Sequence, residues 1–547
     1  MAQVLSGGEV AVAALLDHGV DTLFGLPGVQ TYHLFDALAR AQEQGGITVI
    51  GARHEQGSAY MAFGYAQSTG RPGVYSVVPG PGMLNSSAAL LTAYGASAPV
   101  LLLTGEVPTE FLGRGLGHLH EMPDQAATLR TLTKWSARAD HPAEVAPLIS
   151  EAFRQLASGR PRPVAVAVPW DVLGQRAPST PVLPAPVAPP SVDENTIEEA
   201  AALLRAASNP MIMVGGGARN ASAEVLALAE HLQAPVVSFR GGRGIVSDDH
   251  HLGFTCAEGF ERWAQTDVLL GLGSRLELAW FRWPDRPAGL NLVTVDVDPR
   301  HPVRVGADVG ILGDAATAAT ALLEALQAAG DRPRPSRAAE YDDLKQTKCK
   351  EIEAALPDIA YLAAIREVLP RDGFFVEEIC QLGFASYFAF PSYLPRRFIT
   401  AGHQGTLGFG YPTALGVKVA NPASPVVSVN GDGGFLFAAQ ELATAVQYGI
   451  NVVAIVFNNN AYGNVLMDQR RLFENRTLGG SLHNPDFPTL ARSFGALAYR
   501  AESPAELQQH LTHALEAARP ALIEVPTRIE DGVSPWRFLM PAPRSQR

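Results

Sequence analysis

Long apolar runs are missing from this 547-residue chain. No stretch approaches the roughly 18 residues of a membrane span. Glu9 and Asp17 interrupt the apolar residues near the N-terminus, and no basic leader precedes them. A soluble, unprocessed cytoplasmic protein without membrane contact is expected. Cysteine is scarce too: Cys256, Cys349 and Cys380 are scattered without metal-ligand spacing, which argues against a disulfide framework and fits a reducing compartment. Basic clusters are absent. Against 54 Asp and Glu stand 42 Lys and Arg, a net charge of −12, so nucleic acid is not an expected partner and a small anionic substrate would need a local positive site. No solenoid-length repeat occurs.

Proline and small residues dominate 177–190 (APSTPVLPAPVAPP), which reads as an extended linker, and 330–337 (GDRPRPSR) marks a second break. Three comparable blocks result, at 1–176, 191–330 and 350–530, with a tail at 531–547. Each alternates short apolar runs, such as 47–51, 73–78 and 100–104, with helical stretches. The fold class expected is therefore α/β, with three doubly wound parallel-sheet domains. Ser6-Gly7-Gly8-Glu9 is a capping-box pattern that opens a first helix ending at Gly19.

The third block carries the most informative pattern. Residues 425–430 (PVVSVN) read as a strand that runs into Gly431-Asp432-Gly433-Gly434. A helical stretch at 435–449 and a second strand at 451–457 follow, ending at Asn458-Asn459. In such a βαβ unit the strands are parallel, and their carboxyl ends bring Asp432 and Asn459 into the crevice where open α/β sheets bind ligands. The glycines allow close backbone approach. Asp432, the Asn459 side-chain oxygen and a backbone carbonyl at Ala461 suit Mg²⁺, which takes oxygen ligands and leaves positions for phosphate.

This segment resembles the diphosphate motif of thiamine-diphosphate (ThDP) enzymes, and within them the acetolactate synthase-like branch, which includes benzaldehyde lyase and cyclohexanedione hydrolase. The likeness runs through nearly the whole chain. It implies a pyrimidine-binding domain, a middle Rossmann-like domain and a diphosphate-binding domain in that order, with ThDP and Mg²⁺ as cofactors. It also implies a homodimer or homotetramer with active sites at the subunit interface.

Glu55 follows a strand-like run and opens a helical stretch, a position that also suits a glutamate complementing a helix N-terminus. The resemblance makes it the carboxylate that bonds the aminopyrimidine ring nitrogen, so that the neighbouring amino group removes the thiazolium C2 proton. Gly80, in Gly80-Pro81-Gly82, and Asn85 match a loop lining the cofactor. Gly405 would offer its carbonyl to the pyrimidine amino group. Leu407 stands where relatives usually carry the methionine that props the bent cofactor, and leucine can fill that volume. Gly431, Gly433, Gly434 and Tyr462 would surround the diphosphate. On the substrate side, His120 falls where relatives place a glutamine near C2, and unlike glutamine it can exchange protons near neutral pH. Gln30 and His403 would also border the pocket, with Asn464, Val465 and Met467 facing it.

FAD stays an open question. Met211, Val214 and the glycines at 215–217 suit a nucleotide fold without the full G-x-G-x-x-G pattern. The arginine that acetolactate synthases use near the second 2-oxo acid falls on Ala279, and their tryptophan after the metal motif falls near Asp468. The expected function is a ThDP-dependent lyase or carboligase acting on 2-oxo acids, acyloins or related carbonyl compounds through an acyl-anion equivalent. Acetolactate synthase and a flavin-dependent 2-oxo acid oxidase are the enzymatic alternatives, and a non-catalytic binding protein is the third.

Overall fold

A computed structural model describes residues 3–529 and 533–543. Part of the 531–547 tail thus lies outside the described residues. Three six-stranded sheets carry the molecule, and every pairing within them is parallel. Their central strands are mostly apolar and are buried, as Val100–Glu106 and Val164–Pro169 illustrate. Burial on both faces is what helices covering a parallel sheet impose.

In the first sheet the spatial order is Thr48–Gly51, Thr22–Gly25, Gly73–Val77, Val100–Glu106, Val164–Pro169, Trp135–Arg138. The third runs Phe398–Ile399, Phe374–Glu377, Val426–Gly431, Val453–Asn458, Ala521–Pro526, Leu497–Arg500. In chain order both read 2-1-3-4-6-5. The middle sheet is wound differently, with Pro210–Val214 and Val268–Leu272 adjacent at its centre, and reads 3-2-1-4-5-6, the Rossmann order.

The first helix, Gly7–Asp17, has its capping box: Glu9 N donates to Ser6 Oγ at 3.2 Å and Ser6 N to Glu9 Oε2 at 2.7 Å. The proline-rich linker begins inside a strand, because Arg176–Ser179 pairs antiparallel with Gln3–Ser6. Val187 to Pro190 then line the crevice of the middle domain. The helical stretch expected at 435–449 divides into Asp432–Leu436 and Glu441–Tyr448. Between them Phe437, Ala438, Glu441, Leu442 and Ala443 all bond three residues back, the tighter 3₁₀ pattern.

The helices Glu55–Thr69 and Gly410–Ala420 join the first and third sheets. They cross glycine against backbone: a Cβ on Gly64 would collide with Thr413 O, and one on Gly416 with Met61 O. Glu441, fully buried, accepts from Arg53 N and His54 N at 3.1–3.2 Å and from Thr444 Oγ1 at 2.6 Å. A side chain of the third domain thereby holds the turn immediately ahead of Glu55.

Candidate active site

Two groups of the expected residues assemble, each at the carboxyl ends of one sheet. In the first domain, Asn85 Nδ2 donates to Glu55 Oε2 at 3.0 Å. Gly80 is required by its own geometry: φ is 60°, and a Cβ there would strike the His120 carbonyl. Its N–H donates to Gln125 Oε1 at 3.0 Å. His120 itself has a left-handed backbone, φ 65°, unusual for a residue with a side chain. Its Nδ1 lies 2.6 Å from Gln30 Oε1, while Gln30 Nε2 donates to Leu119 O at 2.7 Å. Because the Gln30 N–H₂ group is turned toward Leu119, its oxygen must accept from His120. The proton of the neutral ring therefore sits on Nδ1, and Nε2 keeps a free lone pair. Burial lowers the His120 pKa from its usual 6.5, and the nearby Glu55 charge opposes this only in part.

In the third domain, Asp432 is buried at the start of Asp432–Leu436, at the end of the strand Val426–Gly431. Ala461 N donates to both Asp432 Oδ2, at 3.2 Å, and Asn459 Oδ1, at 3.1 Å, so the two candidate ligand oxygens gather around one amide. Burial raises the Asp432 pKa, a cost that a bound cation would remove. Among the described residues no cluster of three or more His, Cys, Asp or Glu could hold a metal. One carboxylate, one amide oxygen and a carbonyl form an all-oxygen set that suits Mg²⁺ sharing its remaining positions with phosphate oxygens. The cavity here, about 160 Å³, is lined by Gly431 to Gly434, Asn459, Ala461, Tyr462 and Leu407. Tyr462 packs on Gly433, whose missing side chain leaves it room. Val465, Met467 and Leu382 give the cavity an apolar flank, and Val533 and Pro535 reach it from the tail.

Glu55, Gln30, Gly80, Asn85 and His120 do not line the Asp432 cavity. Gly405 and His403 line another cavity, beside the middle domain. His403 Nδ1 lies 3.0 Å from Arg275 Nη1, which makes it the acceptor; burial, then the Arg275 charge, lowers its pKa.

Sequence reasoning missed three residues. Asn484 Nδ2 donates to Asp432 Oδ2 at 2.7 Å and to Asn458 Oδ1 at 2.9 Å, fixing the carboxylate from a distant loop. Glu378 lies beneath Gly434, accepts from Gly410 N at 2.7 Å, and has its pKa raised to about 8, chiefly by burial. Glu441 is the third. None belongs to a motif; only the apolar run ending at Glu377-Glu378 hinted at acids on a strand end.

Family models match along the chain. They are the thiamine pyrophosphate enzyme N-terminal TPP-binding domain at residues 5–128, the central domain at 197–322 and the C-terminal TPP-binding domain at 379–525. A probable 2-ketoarginine decarboxylase of Pseudomonas aeruginosa is 35% identical over 541 residues, covering 96% of this chain and 94% of that protein. A probable acetolactate synthase large subunit of Methanocaldococcus jannaschii is 32% identical, covering 95% and 92%. The acetolactate synthase isozyme 3 large subunit of Escherichia coli is 31% identical, covering 94% and 93%. With side-chain oxygens gathered behind a glycine turn on one sheet and a glutamate on the other, the chain belongs to the thiamine-diphosphate-dependent enzymes, in their acetolactate synthase-like branch, as a lyase or carboligase of carbonyl compounds.

Proposed function

We propose that the enzyme decarboxylates a 2-oxo acid with an aliphatic or aromatic side chain and passes the acyl unit to a proton or a second carbonyl compound, with Mg²⁺ anchoring the cofactor. One observation carries this: the cavity at Asp432, Asn459 and Ala461 is flanked by Leu382, Val465 and Met467, so the metal ligands adjoin apolar surface for a substituent. When bound, thiamine diphosphate supplies a ring carbon that adds to a carbonyl and a cationic ring that takes up the electron pair of the cleaved bond.

The chain's own residues have separable tasks. Glu55, oriented by Asn85, holds a proton against the pyrimidine ring nitrogen. His120 Nε2 accepts a proton from the substrate hydroxyl or returns one, with Gln30 keeping its other nitrogen protonated. Asn484 steadies the Asp432 carboxylate, and Leu407, on the same cavity, would pack against the cofactor. Because the Glu55 group does not line the Asp432 cavity, the complete site joins Glu55 of one subunit to Asp432 of another in a homodimer, or in a tetramer of two dimers. A cytoplasmic location suits the free, exposed thiol of Cys349, and among the described residues no helix is long and apolar enough to cross a membrane.

Acetolactate formation from two pyruvates is the second reading, favoured by the relatives of that name. The flavin-dependent oxidase is the weakest of the three. The middle-domain crevice, about 480 Å³, is bordered by glycines at 215–217 and by half-buried Arg219 and Arg275. Arg240, Gly402 and His403 form the wall shared by that crevice and the smaller cavity, so a flavin ring lying in the crevice is held away from the Gly405 loop.

The test is a panel of 2-oxo acids and acyloins, including the guanidino acid of the Pseudomonas relative, on protein loaded with ThDP and Mg²⁺, with products identified by mass spectrometry. Apolar acids should turn over best; reaction of charged or coenzyme A substrates alone would overturn the assignment. Mixing inactive Glu55→Ala and Asp432→Ala subunits should restore activity, and no recovery despite proven exchange would sink the shared site.

A further inference from the structure

We propose that Thr92 is a positioning residue for the cofactor: acting through Thr406, it ties the loop that carries Gly405 and Leu407 to the first domain. The inference rests on the shared site proposed above and adds to it a residue that lines neither of the two cavities there.

The loop has little of its own to fix its path. Residues 400–409 belong to neither helix nor strand, and Gly402, Gly405 and Gly408 have φ of 67°, 59° and 77°, left-handed values open to glycine. Yet Leu407 lines the Asp432 cavity, and Gly405 lines the neighbouring one, which shares Ile379 with it. Groups that must meet a cofactor from such a segment are held in place by the contacts behind them. The ties of His403 to Arg275, of Thr400 to Tyr387 and of Gly402 to Arg240 all secure the 400–403 end.

The helix Ser87–Ala96 of the first domain secures the other end. Thr92 is fully buried on it, with its Oγ1 2.9 Å from Ala88 O and 2.9 Å from Thr406 Oγ1. A hydroxyl has one proton, and the Ala88 carbonyl can only accept. The Thr92 proton is therefore committed to Ala88, and Thr406 Oγ1 donates to Thr92. Tyr60 OH, 3.4 Å away, is a second donor to the same oxygen. Gly95 lies three residues on, on the same helical face. A Cβ there would come within 2.9 Å of Gln404 Cγ and 3.2 Å of His403 Cε1, so the loop lies directly on the helix. Thr92 thus grips the residue between Gly405 and Leu407.

The same helix follows closely on Asn85, which orients Glu55. In the shared arrangement the two ends of this segment serve different sites. Asn85 acts in the site that contains this chain's Glu55, whereas Thr92 acts in the site that contains this chain's Asp432.

That division supplies the experiment. A mixed dimer of Glu55→Ala and Asp432→Ala subunits has one competent site, built from Glu55 of the second subunit with Asp432 and the Gly405 loop of the first. Thr92→Val on the Glu55→Ala subunit should lower the recovered turnover at limiting ThDP about 5–50-fold, as for a buried hydroxyl left without its partner. On the Asp432→Ala subunit it should leave the recovered turnover within about twofold. Calorimetric titration of ThDP into the Thr92→Val homodimer at saturating Mg²⁺ reads the positioning without turnover, and affinity should fall by a similar factor. Thr92→Ser should restore it, and Thr92→Val with Thr406→Val should bind no more weakly than Thr92→Val alone, because the two hydroxyls act as one unit. If the parent mixture regains no activity, the shared site fails, while weaker ThDP binding that Thr92→Ser restores still supports the tie. Native ThDP affinity in Thr92→Val with only a lowered Tm, or a loss as large when the Asp432→Ala subunit carries the change, would overturn it.

Discussion

The first and third sheets have the same strand order and the same parallel pairing, yet their carboxyl ends are furnished in opposite ways. One presents Glu55, held by Asn85, and His120, held by Gln30, in hydrogen bonds that fix proton positions. The other presents glycines, Asp432 and Asn459, arranged around a single backbone amide. Topology decides where a site can form, while the turns decide whether it handles protons or phosphate.

The largest expected effect separates these tasks. Glu55→Gln should lower kcat by about 10²–10⁴-fold while ThDP affinity, measured by calorimetry, stays near that of the native enzyme. If the variant loses the cofactor instead, the division between the two sheets fails. Asn484→Ala, on the phosphate side, should do the reverse: Mg²⁺ affinity falls about 10–100-fold and turnover returns at saturating metal and cofactor. Loss of turnover at saturation would move Asn484 to the proton-handling side.

His120 supplies a smaller effect with a definite sign. Burial keeps its pKa below 6.5, so at neutral pH the ring is uncharged and Nε2 can accept a proton. Activity should fall on the acid side as His120 protonates, and His120→Gln should remove that limb from the kcat/KM profile. A limb that persists unchanged belongs to another group. The last effect concerns stability. In the unfolded chain Glu378 ionises above about pH 4.5, whereas the fold holds its proton to about 8. The folded state therefore binds the extra proton, and its stability declines as pH rises through that window. Glu378→Gln should raise Tm more at pH 8 than at pH 5; an equal shift at both would remove burial of this acid as the cause.

Much of this arrangement was legible in the sequence. Strands buried on both faces are continuous apolar runs, so 425–430 and 451–457 stood out, and the glycine turn between strand and helix located Asp432. The Ser6 and Glu9 capping box was visible because its partners lie three residues apart. What escaped was held by partners remote in the chain. Glu441 meets Arg53 and His54 across 388 and 387 positions, a contact that no local pattern announces. Asn484 is a single polar residue in a loop, and nothing near it announces a bond to Asp432.

Glu441 also bears on how such proteins can be recombined. Its carboxylate spans the boundary between two sheets, so the first block is not a detachable module. A chimera joining the opening block of this chain to the closing block of a relative inherits a correctly shaped turn ahead of Glu55 only if an acid arrives at position 441 with it. The inheritance of the proton-handling half is thus tied to a residue encoded almost four hundred codons downstream.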